Sequence, residues 1–198
     1  MDILKRIKLL QQLVEALTQL LALKKLEPIP TTGGIEIRQH HTTKCYDTPL
    51  YKANMIVGHI DLGTEKGTIN EILNGSRSAS YHWYIPKHAK YVVEFVPQEK
   101  SAWHAGVLHN PDQSLGKLLG GANEMIESGE PNRYSYGICY EGRYVTTEPN
   151  EAQVALAVEL AKEKGIDHLP WVEHWLLTSY KPRIVTKFVE AVRALLKK

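Results

Sequence analysis

Cysteine is scarce: Cys45 and Cys139 are the only two in 198 residues, and they stand far apart without a CxxC pair. That excludes a disulfide framework and a thiolate zinc knuckle, and it fits synthesis in a reducing cytoplasm. Also missing is any uninterrupted apolar run of the roughly 18 residues that a membrane-spanning helix needs. Neither sign of charge is in excess, with 24 Lys and Arg against 22 Asp and Glu and a formal net charge of +2. Such a balance gives no footprint for nucleic acid, although it mildly favours approach to an anionic polymer. No internal repeat is found. What the chain does have is 43% apolar and 23% charged residues, the balance of a packed globular domain with room for one appendage.

The appendage is the N-terminus. Ile3, Ile7, Leu10, Val14, Leu17 and Leu21 recur at alternating spacings of four and three, the seam of a packing helix. Gln11, Gln12, Glu15 and Gln19 interrupt the apolar run and no small-residue cleavage site follows, so the segment reads as a retained amphipathic helix over 1–27 and not as a signal peptide. It is suited to packing on the domain or on a second copy. Lys5, Arg6 and Lys8 at one end also suit a membrane surface. Pro28, Pro30 and Thr31 to Gly34 make 28–34 a linker, leaving 35–198 as the main domain.

Within that domain the pattern predicts strands over 35–38, 55–57, 81–86, 91–97 and 136–140, the third and fourth forming a hairpin. Helices are expected over 66–73, over 151–164 behind Pro149-Asn150, and from 182 or 183 to the C-terminus, while 115–127 is ambiguous. Interleaved strands and helices predict an α/β fold, a central mixed sheet flanked by helices.

Nine histidines invite a metal reading, and position separates them. His40, His41, His88 and His109 lie in polar stretches that read as solvated loops. His59 follows an apolar strand and a glycine, and His174 follows the apolar stretch 169–173. Ends of strands are where a sheet presents ligands to a cleft. His104 sits in Trp103-His104-Ala105-Gly106, where small residues let a sugar or peptide approach. Tyr81 opens a strand, a place where tyrosine is more often core than catalyst.

Taken in order, the segments Met55-Ile56-Val57-Gly58-His59, Ser80 to Ile85, Ser101 to Gly106 and Tyr134 to Gly142, completed by His174 and Lys181, resemble the N-acetylmuramoyl-L-alanine amidases. That family includes phage endolysins, bacterial recycling amidases and animal peptidoglycan recognition proteins. The resemblance implies that peptidoglycan is the partner and that the amide bond between N-acetylmuramic acid and L-alanine is cut, as by a phage endolysin made in the host cytoplasm and acting on the wall. It implies Zn2+ held by His59 and His174, Tyr81 bonding the attacking water, Lys181 stabilising the oxyanion, and Trp103 and His104 lining the groove.

Two departures from the family pattern stand out. Where relatives carry a third zinc ligand after the lysine, this chain has Pro182, Arg183 and Ile184, so that ligand is unidentified and Cys139 is a candidate. Cys139 also stands where the recycling enzymes have an acidic residue, which puts weight on Tyr81. The missing ligand keeps a second reading open, a metal-free peptidoglycan-binding module.

Overall fold

The computed structural model describes residues 34–121, 124–142 and 148–197. The N-terminal helix and all of the linker but Gly34 lie outside them. In chain order the strands are Ile37–Gln39 (β1), Cys45–Pro49 (β2), Met55–Asp61 (β3), Trp83–Ile85 (β4), Val92–Glu94 (β5), Lys100–Ala102 (β6), Ser135–Glu141 (β7) and Trp171–Glu173 (β8). The helices are Glu65–Asn74 (α1), Ser114–Leu118 (α2), Glu124–Ser128 (α3), Glu151–Glu163 (α4), His174–Leu177 (α5) and Thr186–Leu196 (α6).

Six strands form one mixed sheet in the order β1-β5-β4-β7-β3-β8. The β4–β5 pair is the antiparallel hairpin expected from the sequence, and every other pair is parallel. β2 and β6 form a separate antiparallel ribbon. β3 is buried from Met55 through His59, as a strand covered on both faces should be.

Side chains alternate across a strand, so β3 assigns its residues to two faces. Ile56 joins Trp83, Ile138, Tyr140 and Trp171 in a core closed by α4 and α6. Gly58 is on that face because nothing larger fits: a Cβ there would lie 2.6 Å from Val189 Cγ2 of α6. Met55 and Val57 point the other way, against Ala105, Leu115, Val172 and Leu176. His59 follows Val57 on this second face, and that places it in the site.

Helix ends obey local chemistry. Thr64 caps α1 by accepting from Gly67 N–H at 3.2 Å, and Asn150 and Gln153 form a reciprocal capping box at α4. Gln153 is buried and its Nε2 donates to Ile85 O at 3.3 Å and Glu141 O at 3.0 Å, tying α4 to the ends of β4 and β7. The last helix starts at Thr186, later than its apolar pattern predicts. Pro182 breaks the backbone ladder, and the Arg183 guanidinium instead lies 3.8 Å over the Trp175 ring. The ambiguous 115–127 region contributes two short helices, α2 and α3. Among the described residues no helix is long and apolar enough to cross a membrane.

Candidate active site

Four elements deliver the site. β3 supplies His59, the start of α5 supplies His174, the turn before β4 supplies Tyr81, and the loop after β6 supplies Trp103 and His104. His59 lies within its strand, not after it, because β3 continues to Asp61. The rings of His59 and His174 are 4.6 Å apart between centroids, and that of Tyr81 is 5.1 Å from His59. Trp103, His104, His174 and Lys181 line one open cavity of about 570 Å³, together with Tyr46 and Asn132. The structure therefore brings together all six residues singled out in the sequence.

The loop 103–106 is held from beneath. Asn132 Oδ1 accepts from His104 N–H at 3.0 Å and from Ala105 N–H at 2.7 Å. Ser80 Oγ accepts from Trp103 N–H at 2.9 Å. Gly137 of β7 leaves room for the His104 ring, since a Cβ at that position would lie 2.6 Å from His104 Cγ. Asn132, Ser135 and Gly137 were not visible as site residues in the sequence, because each acts through a partner about thirty positions away.

Each imidazole has a definite environment. His82 accepts from Gly137 N–H at its Nδ1, 3.0 Å, and donates from Nε2 to Lys100 O, 2.9 Å, so both nitrogens serve structure. His59 Nε2 lies 3.0 Å from His104 Nδ1, and His174 Nε2 lies 3.3 Å from Ala105 O. Burial holds the His59 imidazole well below the ordinary histidine range, and His174, His104 and Lys181 push it the same way. Burial also lowers His104 strongly. His174 is pushed down to about 4, by burial first and the Lys181 charge second. These rings are neutral, the state in which imidazole binds metals. Burial and the Cys139 thiol raise the Tyr81 phenol well above its usual range, so it remains a donor. Cys139 is fully buried, and burial pushes its thiol well up.

A carbonyl oxygen only accepts, so His174 Nε2 carries a proton toward Ala105 O and leaves Nδ1 as its metal-binding atom. Ligating histidines ordinarily donate their other nitrogen in this way. The donor chemistry of His59 and His174 thus fits a zinc ion. Among the described residues no group of three His, Cys, Asp or Glu is gathered as a metal site, and Cys139 joins no such group.

Buried His82 also makes stability pH-dependent. Its pKa is lowered to about 4 by burial, whereas the unfolded chain takes up the proton near about 6.5. The folded state refuses that proton across the interval, so stability is full above about 6.5 and falls as pH drops toward about 4. Urea midpoints of the metal-free protein are expected to decline steadily through this window. A midpoint constant from neutrality down to about pH 4 would contradict the assignment.

The family described as N-acetylmuramoyl-L-alanine amidase matches residues 31–181. Among solved structures, AmpD is 20% identical, covers 81% of this chain and 94% of its own, and has a TM-score of 0.57. The N-acetylmuramoyl-L-alanine amidase LysC from Clostridium intestinale is 15% identical over 82% of this chain and 97% of its own, TM-score 0.54. PlyL is 17% identical over 80% and 97%, TM-score 0.53. At these identities the likeness shows the fold. No curated protein matches the sequence.

Proposed function

The chain belongs to the N-acetylmuramoyl-L-alanine amidase family, whose reaction hydrolyses the amide bond between N-acetylmuramic acid and L-alanine in peptidoglycan, and on that premise we propose how its groove does so. The observation that carries the proposal is the cavity of about 570 Å³ in which His174 and Lys181 face Trp103 and His104, with His59 4.6 Å from His174 between ring centroids.

Trp103 and its loop bind the muramyl-peptide junction and orient the lactyl carbonyl toward the two histidines. Tyr81, kept protonated by burial, donates to the attacking water and aligns it. Lys181 stabilises the oxyanion as the carbonyl carbon becomes tetrahedral, a charge that grows only on the way to the transition state. The intermediate then collapses: the proton given up by the attacking water passes to the departing nitrogen, the carbon–nitrogen bond breaks, and the stem peptide leaves with a free L-alanine amine while the lactyl group keeps the new carboxylate. Zinc held by His59 and His174 would supply Lewis acidity to the scissile carbonyl and the water.

A catalytic zinc ordinarily takes three protein ligands, and these two imidazoles are the pair proposed here. The role is lytic, an endolysin-type attack on the wall by a protein made in the cytoplasm. It rests on Tyr81, since Cys139 offers no carboxylate to take its place. The catalytic domain is placed at 35–198.

Purified peptidoglycan incubated with the full chain and zinc is expected to release stem peptides with new L-alanine amino termini, and a chelator is expected to stop the release. Wall binding without any new L-alanine terminus, at every zinc concentration, would replace this reading with the metal-free binding module.

A further inference from the structure

The two histidines proposed to hold the metal are each held by the same short loop, one through the His104 side chain and the other through the Ala105 carbonyl. We infer that residues 104–105 act as a template that fixes both His59 and His174 as Nε2–H tautomers, so that both offer Nδ1 to the metal. His104 is then a positioning residue. The inference rests on the assignment of His59 and His174 in the proposed function.

Ser135 Oγ donates to Pro131 O at 2.6 Å, which commits its only proton. The Ser135 carbonyl can only accept. His104 Nε2 lies 3.2 Å from both oxygens of Ser135, so it meets two acceptors and carries the proton. A buried imidazole whose nitrogens meet a serine and another imidazole, with no carboxylate against them, is neutral. His104 Nδ1 therefore holds a lone pair. That lone pair faces His59 Nε2 at 3.0 Å, and two lone pairs at this distance would repel. His59 Nε2 must donate, which leaves the lone pair of His59 on Nδ1.

The other tautomer of His104 fails at both ends. It would aim the Nε2 lone pair at a carbonyl oxygen, and it would force His59 to turn its own Nε2 into an acceptor. Two features hold the His104 ring in the required orientation. Asn132 pins the backbone of residues 104 and 105, and the bare Gly137 backbone gives the ring its space. His104 thus contributes to the site from a buried position, 6% exposed, at the edge of the groove.

The test is tautomer-resolved NMR of the metal-free, full-length protein with 15N-labelled histidine. His59 and His174 are both expected to show a protonated Nε2 and a bare Nδ1. In His104→Ala, His59 is expected to populate both tautomers while His174 keeps its own, because the Ala105 carbonyl remains. Zinc affinity, read by competition with a chromophoric chelator, is expected to fall about 10–100-fold, the usual effect of losing a partner of a ligating histidine. His104→Asn puts a carbonyl oxygen where Nδ1 was and is expected to restore both the His59 tautomer and most of the affinity.

A protonated Nδ1 on His59 in the wild-type protein overturns the inference without any variant. So does unchanged zinc affinity in folded His104→Ala, or a zinc-loaded protein whose His104 Nδ1 is itself metal-bound. Absence of amide hydrolysis alongside the expected tautomers would overturn the proposed function and leave the template standing. Hydrolysis alongside a reversed His59 tautomer would do the opposite.

Discussion

His174→Ala is expected to lower amide hydrolysis by about 10³-fold or more while leaving the protein folded. The substitution removes one of only two imidazoles proposed to hold zinc, and Lewis-acid stabilisation is worth several kcal/mol. At about 1.4 kcal/mol per tenfold in rate, a loss of about 4 kcal/mol gives that factor. The fold tolerates the change because His174 is only partly buried where it lines the cavity and the hydrogen bond of its ring to Ala105 O is long, while the bonds to its carbonyl survive in alanine. His59→Ala is expected to cost as much activity and more stability. His59 is 5% exposed in the central strand, and its loss strands the buried His104 Nδ1, a penalty of about 1–3 kcal/mol. Turnover of a defined muropeptide, bound metal by elemental analysis and urea unfolding together separate the two variants. Activity of His174→Ala within tenfold of wild type would remove His174 from the reaction.

The site was legible in the sequence where chemistry clusters locally. Trp103-His104-Ala105-Gly106 is a single stretch, and His59 and His174 each follow an apolar run, so short-range patterns mark them. What local patterns do not carry is pairing. That His59 and Ser135 both reach His104 depends on β7 lying beside β3, with Met55 opposite Ser135 and His59 opposite Cys139, and no spacing along the chain encodes that register. The same reason hid Asn132, whose side chain caps a loop 28 residues earlier in the chain.

The fold divides in a similar way. The α1 and α4 helices come from periodicity and capping chemistry and were expected close to their observed bounds, whereas β3, expected to end at Val57, runs to Asp61, and the hairpin strands expected over 81–86 and 91–97 are the shorter β4 and β5. β2 and β6 carry no apolar alternation, β2 reading Cys45-Tyr46-Asp47-Thr48-Pro49, and β8 has only three residues to show one; a neighbouring strand completes their hydrogen bonds. The start of α6 was misjudged because its apolar face continues into Val185, which is buried as an anchor ahead of the helix. Burial alone does not distinguish an anchored loop from a helical turn.

Lys181→Met is expected to reduce kcat by about 10²–10³-fold with little change in KM, since a cation that meets only a developing oxyanion contributes to the transition state and not to the bound substrate. The position of Lys181 is not left to a free loop. Its N–H donates to Thr178 O at 3.0 Å, while Ser179 N–H donates to His109 O at 3.0 Å and His109 N–H to Leu177 O at 3.1 Å. This stitching fixes the backbone of Lys181 at the cavity edge, and the field of its ammonium reaches both histidines, lowering His59 and His174. Methionine keeps much of the stem's length and apolar packing but removes the charge, so the His174 pKa is expected to rise from about 4 as kcat falls. Lys181→Arg restores the charge but spreads it over a plane that needs a different approach to a single oxygen, so partial recovery of kcat is expected. A His174 titration unchanged in Lys181→Met would mean that the ammonium points away from the histidines. An unchanged kcat would assign oxyanion stabilisation to another group in the groove.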